Sequence, residues 1–366
     1  MREQIAFVLG TRPEIIKLSP LISKCRASGI AFSLIHTGQH YSESMDSVFF
    51  DQLDLPSPTV NLGVGSGSHA EQTGKMLIEI GRVLDTRSPE TVLVQGDTNS
   101  VLAGAMAASK EQPRVGHVEA GLRSFDPEMP EEINRIVADH LADVLFAPTK
   151  QSQENLLNEG IESDRIAITG NTIVDAIHRC EQLARESSTV LSDLRLHDSQ
   201  YFVMTIHREE NVDDRSRLRR ILDGVQRSAA AHDVEVVYPI HPRTKRRVTE
   251  FSLPIPERIR VIEPLDYLDF IRLESESALI LTDSGGVQEE ACTLGVPCVT
   301  IRPNTERPET IAVGANRLTP PQDGEIPAAV SKMLDIDTDW ENPYGSGNAA
   351  EEILARLGRM GTVSPR

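Results

Sequence analysis

Residues able to bind phosphate or move protons gather in this chain where aliphatic runs end. The richest such place is Ile280-Leu-Thr-Asp-Ser-Gly-Gly-Val-Gln-Glu-Glu-Ala291. Its apolar start reads as a buried strand, and Ser284-Gly285-Gly286 then opens a segment of helical composition. Such a turn aims unpaired backbone N–H groups and the positive end of the helix dipole at one point, where a phosphate can sit. Glycine lets the backbone approach closely, and Glu290, about a turn further in, could accept hydrogen bonds from ribose hydroxyls. Gly-Gly alone also fits an ordinary strand–turn–helix corner. The other strand ends carry the argument further.

Gly10-Thr11-Arg12-Pro13-Glu14, with Lys17 beyond, follows the first aliphatic run; His36-Thr37-Gly38-Gln39-His40 follows the second. Gln95-Gly96-Asp97-Thr98 and His117-Val118-Glu119-Ala120-Gly121-Leu122-Arg123 come next, then Ile206-His207-Arg208-Glu209-Glu210-Asn211 and Ile240-His241-Pro242-Arg243. Parallel α/β sheets bind ligands at the carboxyl ends of their strands, where loops and helix N-termini converge. Two sheets facing by those edges would make a cleft lined by Arg12, Lys17, Asp97, Glu119, His207, Arg208 and Ser284. In Met129-Pro130-Glu131-Glu132-Ile133-Asn134-Arg135 the proline suits a helix start. The acids after it suit the helix dipole. Glu131 and Arg135, four apart, share one face, as a surface ion pair or a sugar-reading pair. Arg302-Pro-Asn-Thr-Glu-Arg-Pro-Glu309 carries two arginines whose planar forks could clamp a diphosphate.

Positioning these groups requires alternating strands and helices. Candidate strands are Ile5–Leu9, Phe32–His36, Thr91–Gln95, Val115–Val118, Val144–Ala147 and Ile166–Thr169, then Phe202–Thr205, Glu235–Tyr238, Arg260–Ile262, Leu279–Leu281 and Cys298–Ile301. Helical patterns between them indicate βαβ units around parallel sheets. At 366 residues the chain fits two domains. The charged, strand-free stretch Ile177–Leu196 places their junction near residues 170–198. The expected fold is therefore α/β, two Rossmann-like domains: residues 1–175, and residues 176–348 as the nucleotide-binding half. The terminal segment 349–366, helical over Ala349–Met360, is expected to pack back on the first.

Other chemistries fit less well. His36 and His40 have the spacing of helical zinc ligands, but Gly38 intervenes and no third ligand has recognisable spacing, so no metal is expected. Arg12-Pro13-Glu14 stands where a dinucleotide-binding loop would need glycines, so no nicotinamide is expected. Gly-x-Ser-x-Gly is absent. A net charge of −18 argues against nucleic acid as a partner. The four cysteines lack Cys-x-x-Cys spacing and read as buried thiols. With no run of 18 apolar residues and no basic–apolar leader, a cytoplasmic protein without membrane attachment is expected.

Taken in order, Gly10-Thr-Arg-Pro-Glu-Ile-Ile-Lys17, Gln95-Gly-Asp-Thr98, His117-Val-Glu-Ala-Gly-Leu-Arg123, Pro130-Glu-Glu-Ile-Asn-Arg135, His207-Arg208, Asp283-Ser-Gly-Gly-Val-Gln-Glu-Glu290 and Thr305-Glu-Arg-Pro-Glu309 span nearly the whole chain. In this combination it resembles the non-hydrolysing UDP-N-acetylglucosamine 2-epimerases, which interconvert UDP-GlcNAc and UDP-ManNAc. The resemblance implies the two-domain arrangement called GT-B, UDP held between the domains, a homodimer and no cofactor. It places UDP contacts on Arg12, Lys17, His207, Ser284, Gly285, Glu290 and Arg307, with Gly286 beside them. Its catalytic carboxylates fall on Asp97, Glu119 and Glu131, next to Arg135, and His207 joins the catalytic set. Epimerases of UDP-N-acetyl-fucosamine precursors share Pro-Glu-Glu-Ile-Asn-Arg but tend to differ from Glu119-Ala-Gly-Leu-Arg and Ser284-Gly-Gly-Val-Gln. Hydrolysing epimerases usually depart from the first motif, and a GT-B glycosyltransferase would need an acceptor pocket. Bacterial members often require UDP-GlcNAc as an activator. Here Gln39 and His40 match that pattern, whereas Tyr41-Ser42-Glu43-Ser44-Met45 and Arg208-Glu209-Glu210 do not, so altered or absent activation is expected.

Overall fold

The computed structural model describes residues 3–38, 43–196 and 200–360. The Gln39-His40 pair and Tyr41-Ser42 lie outside the described residues, as do the side chains of Glu43, Ser44 and Met45. The chain divides into two compact units, Met1–Ala176 with Tyr344–Arg366, and Ile177–Pro343. The division falls inside the helix Thr172–Ser187.

In the first unit the strands are β1 (Ile5–Leu9), β2 (Phe32–His36), β3 (Val60–Asn61), β4 (Thr91–Gln95), β5 (Arg114–Val118), β6 (Val144–Ala147) and β7 (Ile166–Ile168). They form one sheet in the order β3-β2-β1-β4-β5-β6-β7, every pair parallel. Helices cover both faces, which is why these strands read as continuous aliphatic runs instead of alternating ones. Ala6 and Val8 enter one core cluster with Val92, Val94 and the alanines of the helix Asn99–Lys110, while Ile5, Phe7 and Leu9 are buried on the other side. The helix Arg12–Ser28 starts with Pro13 in its first turn and stops at Gly29 in the left-handed region. The helix Ala349–Arg359 packs on it, and Asp175 accepts hydrogen bonds from the amides of Ala349 and Ala350 that open that last helix.

The second unit contains β8 (Tyr201–Thr205), β9 (Glu235–Pro239), β10 (Ile259–Ile262), β11 (Leu279–Thr282), β12 (Cys298–Thr300) and β13 (Asn316–Leu318). Their order is β10-β9-β8-β11-β12-β13, again all parallel. Alternation along β8 sends Phe202 and Met204 to one core cluster and Tyr201 and Val203 to another, so this sheet too is covered on both sides.

Both sheets have the doubly wound order. Each reverses direction once, between β1 and β4 in the first and between β8 and β11 in the second. Loops after the two strands at such a reversal leave in opposite directions and open a crevice for ligands. Sequence reading finds eleven of the thirteen strands among the described residues to within one residue at each end, and it misses β3 and β13. Both missed strands are edge strands of two and three residues with no aliphatic run of their own.

Candidate active site

Parallel register brings the first group of residues together. Gln95 at the end of β4 lies opposite Val118 at the end of β5, so Asp97 and Glu119 start neighbouring loops. Arg135 bridges them from the helix Pro130–Leu141: Nη2 bonds Asp97 Oδ2 at 2.5 Å, Nη1 bonds the Glu119 carbonyl, and Glu119 Oε1 lies 3.5 Å from Nη2. Burial opposes the charge on Arg135, but Asp97, Glu119 and Asp139 more than offset it and hold the guanidinium charged. The Glu119 side chain also accepts from Lys17 Nζ, Gln95 Nε2 at 3.1 Å and Asn171 Nδ2 at 3.4 Å. Glu119 is 4% exposed and the Asp97 side chain 35%, so Asp97 is the more open of the two carboxylates.

Glu119 has φ +67°, a left-handed conformation that costs a non-glycine residue on the order of 1–3 kcal/mol. What holds it there is a buried network. His117 donates through Nε2 to the Gly96 carbonyl at 2.8 Å and meets Asp139 through Nδ1 at 2.6 Å. Asp139 also accepts from the Gly121 amide and pairs with Arg123. Burial works against the Asp139 carboxylate, but His117, Arg123 and Arg135 outweigh it and keep its pKa below the ordinary value. Gly121 is obligatory, because its φ is +79° and a Cβ there would sit 2.3 Å from the Ser152 carbonyl oxygen. The two carboxylate loops are thus clamped from beneath by groups of the fold itself.

Glu14 supports the same place from the β1 side. Its carboxyl accepts from the Gly10 amide, the Thr11 hydroxyl and the Thr98 hydroxyl, joining the loop after β1 to the loop after β4. Burial pushes its pKa up to about 7 in spite of these donors. Arg12 is exposed at the start of its helix, with its guanidinium 5.0 Å from the centre of the Phe49 ring. Glu131 is exposed, and the ion pair envisaged with Arg135 does not form, because Arg135 turns inward to Asp97 and Glu119. The buried neighbour is Glu132, whose carboxylate accepts from the amides of Ser124 and Phe125.

In the second unit the reversal between β8 and β11 gathers the other group. Asp283, fully buried just after β11, accepts from the amides of His207 and Arg208 and from Asn211 Nδ2, and its Oδ1 is 3.3 Å from His207 Nδ1. Asn211 also donates to the Ile301 carbonyl, tying the loops after β8, β11 and β12. His207 is therefore fixed at its backbone while its ring stays half-exposed beside His241, centroids 5.6 Å apart. Burial, then His207 and Arg243, push the His241 pKa down.

Ser284 precedes the helix Gly285–Leu294, and its side chain makes no capping hydrogen bond to that helix. A Cβ on Gly285 would come no closer than 3.8 Å to Glu306, and one on Gly286 no closer than 3.9 Å to Ser284. Neither glycine has a positive φ. Packing and backbone conformation among the described residues therefore do not demand glycine here. A ligand approaching the helix N-terminus closely would demand it. Gln288 braces the turn by donating to the Ser284 carbonyl and accepting from Thr305 and Asn316. Arg307 bonds Glu289 at 2.6 Å, and Arg302 holds Glu306 through two bonds of 2.8 and 2.9 Å. Arg302 keeps the Glu306 pKa down at about 2. Glu290, 9% exposed, accepts from the Tyr267 hydroxyl.

Sequence reasoning missed Gln95, Asn171, Asp139, Glu132 and Gln288 as supports. Only His117, a histidine inside an aliphatic strand, carried a local signal of its role. No group of three or more potential metal ligands occurs among the described residues, and no described helix is long and apolar enough to cross a membrane.

A family model described as UDP-N-acetylglucosamine 2-epimerase matches residues 23–358. A protein of Methanocaldococcus jannaschii named UDP-N-acetylglucosamine 2-epimerase is 51% identical over 360 residues, 97% of this chain and 98% of that one. A crystal structure of the UDP-GlcNAc 2-epimerase of the same organism, in complex with UDP-GlcNAc and UDP, superposes with a TM-score of 0.85, covering 97% of this chain and 99% of that chain. A Pseudomonas aeruginosa protein named UDP-2,3-diacetamido-2,3-dideoxy-D-glucuronate 2-epimerase is 40% identical over 98% of this chain and all of that one. Two doubly wound parallel sheets, the two clusters at their reversals and these matches along nearly the full length agree. The chain belongs to the UDP-N-acetylglucosamine 2-epimerase family.

Proposed function

We propose that this protein interconverts UDP-N-acetylglucosamine and UDP-N-acetylmannosamine without hydrolysis, by eliminating UDP to 2-acetamidoglucal and adding it back. The C2–H bond beside an acetamido nitrogen is too weakly acidic for direct removal. If the C1–O bond to UDP breaks first or in concert, C1 gains oxocarbenium character and the C2 proton becomes labile. One carboxylate then takes that proton, and UDP departs with the C1–O electron pair. Return of UDP to C1 with protonation of C2 on the opposite face inverts the centre.

The observation that carries this reading is the pair Asp97 and Glu119 joined by Arg135 at one strand-end crevice. Two carboxylates held apart by a cation can act as base and acid on opposite faces of a sugar. A sugar-nucleotide binder without catalysis would have no use for them. Glu131, exposed on the first turn of its helix, is a third candidate for proton transfer. Arg12, Lys17, His207 and Arg307 would stabilise the leaving diphosphate. Lys17, bonded to Glu119, brings an ammonium charge to the same strand-end crevice. Ser284, Gly285 and Gly286 would bind phosphate at the helix N-terminus, and Glu290 the ribose hydroxyls. The protein would act in the cytoplasm as a homodimer.

Incubation of the purified protein with UDP-GlcNAc alone is the test. UDP-ManNAc at equilibrium is expected. Free ManNAc with UDP would mark a hydrolysing enzyme, and turnover only on adding a sugar acceptor would mark a glycosyltransferase. The relative named for a diacetamido-glucuronate substrate favours one second reading, epimerisation of a related UDP-sugar. A substrate panel compared by kcat/KM separates the two.

A further inference from the structure

We propose that Tyr267 orients Glu290 for the ribose and thereby sets the preference for a ribonucleotide over a 2′-deoxyribonucleotide. The proposal rests on the reading of Glu290 as the ribose acceptor. Glu290 stands on the helix Gly285–Leu294, six positions beyond Ser284, so the same rigid element that offers its N-terminus also carries this carboxylate. Tyr267 comes from a different element, the first turn of the helix Tyr267–Ser275. That start is fixed by Asp266, whose side chain accepts from the Asp269 amide at 2.9 Å. The ring is 2% exposed and its hydroxyl donates to Glu290 Oε1 at 3.1 Å.

A glutamate has three side-chain torsions, and the last is broad and poorly determined by packing. A hydroxyl on a ring that cannot move fixes one carboxylate oxygen, and with it the plane of the group. That matters for the 2′- and 3′-hydroxyls, which are vicinal donors best met by a carboxylate held in one orientation. Burial, then the charge of Glu290, push the Tyr267 pKa well above 10. The phenol therefore remains a donor throughout the range in which the protein is handled. No part of the proton chemistry needs Tyr267, so it is a positioning residue.

The test compares the affinities of UDP and 2′-deoxy-UDP, by calorimetry, for the parent protein, Tyr267→Phe and Glu290→Gln. The parent should favour UDP by roughly 10-fold, the scale of one hydrogen bond to a charged acceptor. Tyr267→Phe should lower that ratio by at least about 3-fold while 2′-deoxy-UDP binds as before, which also shows that the variant is folded. An unchanged ratio, or an equal loss of both ligands, overturns the proposal and leaves Tyr267 a packing role. If Glu290→Gln also keeps the parent ratio, the reading of Glu290 fails with it. If Glu290→Gln lowers the ratio and Tyr267→Phe does not, the proposal about Tyr267 fails alone.

Discussion

The two sheet reversals share a strand order and differ in what they present. At the first, between β1 and β4, side chains dominate: Asp97, Glu119, Lys17 and Arg135 face one another, and Glu119 sits in a left-handed conformation held from below. At the second, between β8 and β11, the backbone dominates: a helix N-terminus that Ser284 does not cap with its side chain, two glycines that packing among the described residues does not require, and loops pinned by one buried aspartate. Proton transfer needs titratable groups in exact places, whereas holding a phosphate needs N–H groups and a dipole. On the proposed function, one architecture would supply an electrostatic cradle in one unit and acid–base machinery in the other.

The strongest way to break this contrast is to neutralise a carboxylate. Asp97→Asn or Glu119→Gln should lower kcat by roughly 10³-fold, within the range for a lost acid–base group. UDP affinity should stay within about 3-fold in calorimetry. Turnover of Glu119→Gln at the parent rate would reduce Glu119 to a structural strand-end acid.

The supports should differ as well. Glu14 has a folded-state pKa of about 7 against an ordinary 4.5. The folded state then holds a proton that the unfolded chain releases. The resulting stability is complete below about pH 4.5 and is lost as pH rises through 7. Glu14→Gln should therefore gain on the parent between pH 5 and 8, by up to about 3 kcal/mol in denaturant titrations. A constant difference across that range would show that Glu14 folds as a carboxylate.

Glycines sharpen the comparison. Gly121→Ala should destabilise the protein by about 2–3 kcal/mol, because strain and a clash with the Ser152 carbonyl combine. Gly286→Ala should leave the melting temperature almost unchanged and weaken UDP binding. The reverse outcome would make Gly286 a folding residue. Last, Arg307→Ala or Ser284→Ala should weaken UDP binding by about 1.5–3 kcal/mol, the worth of one hydrogen bond to a charged group. An unchanged dissociation constant would remove either residue from the phosphate contacts.

Much of this contrast was legible before the structure, for a physical reason. Strands buried on both faces are aliphatic runs, so the polar residues that end them stand out, and the register of parallel strands then places Asp97 beside Glu119 and His207 beside Asp283. What stayed hidden depends on distant contacts. Helical spacing allows Arg135 an ion pair with Glu131 or a sugar-reading pair, but a buried site with two carboxylates outweighs an exposed pair that is worth a few tenths of a kcal/mol. Glu131 and Glu132 are adjacent acids on one helical turn, and only packing decides that Glu132 turns inward. Asn171 reaches Glu119 from 52 positions away, and Gln288 meets Asn316 from 28, with no periodic pattern to announce either.

The central claim is that carboxylates of the first unit take and return the proton at C2. Reaction in D2O tests it most directly, with the hydrogen at C2 read by NMR in product and recovered substrate. Base and acid on opposite faces cannot return the same proton, so UDP-ManNAc should carry deuterium at C2 from the first turnover. Prolonged incubation should label the UDP-GlcNAc pool too. Retention of the original hydrogen at C2 would contradict the account and point instead to transient oxidation with hydride return.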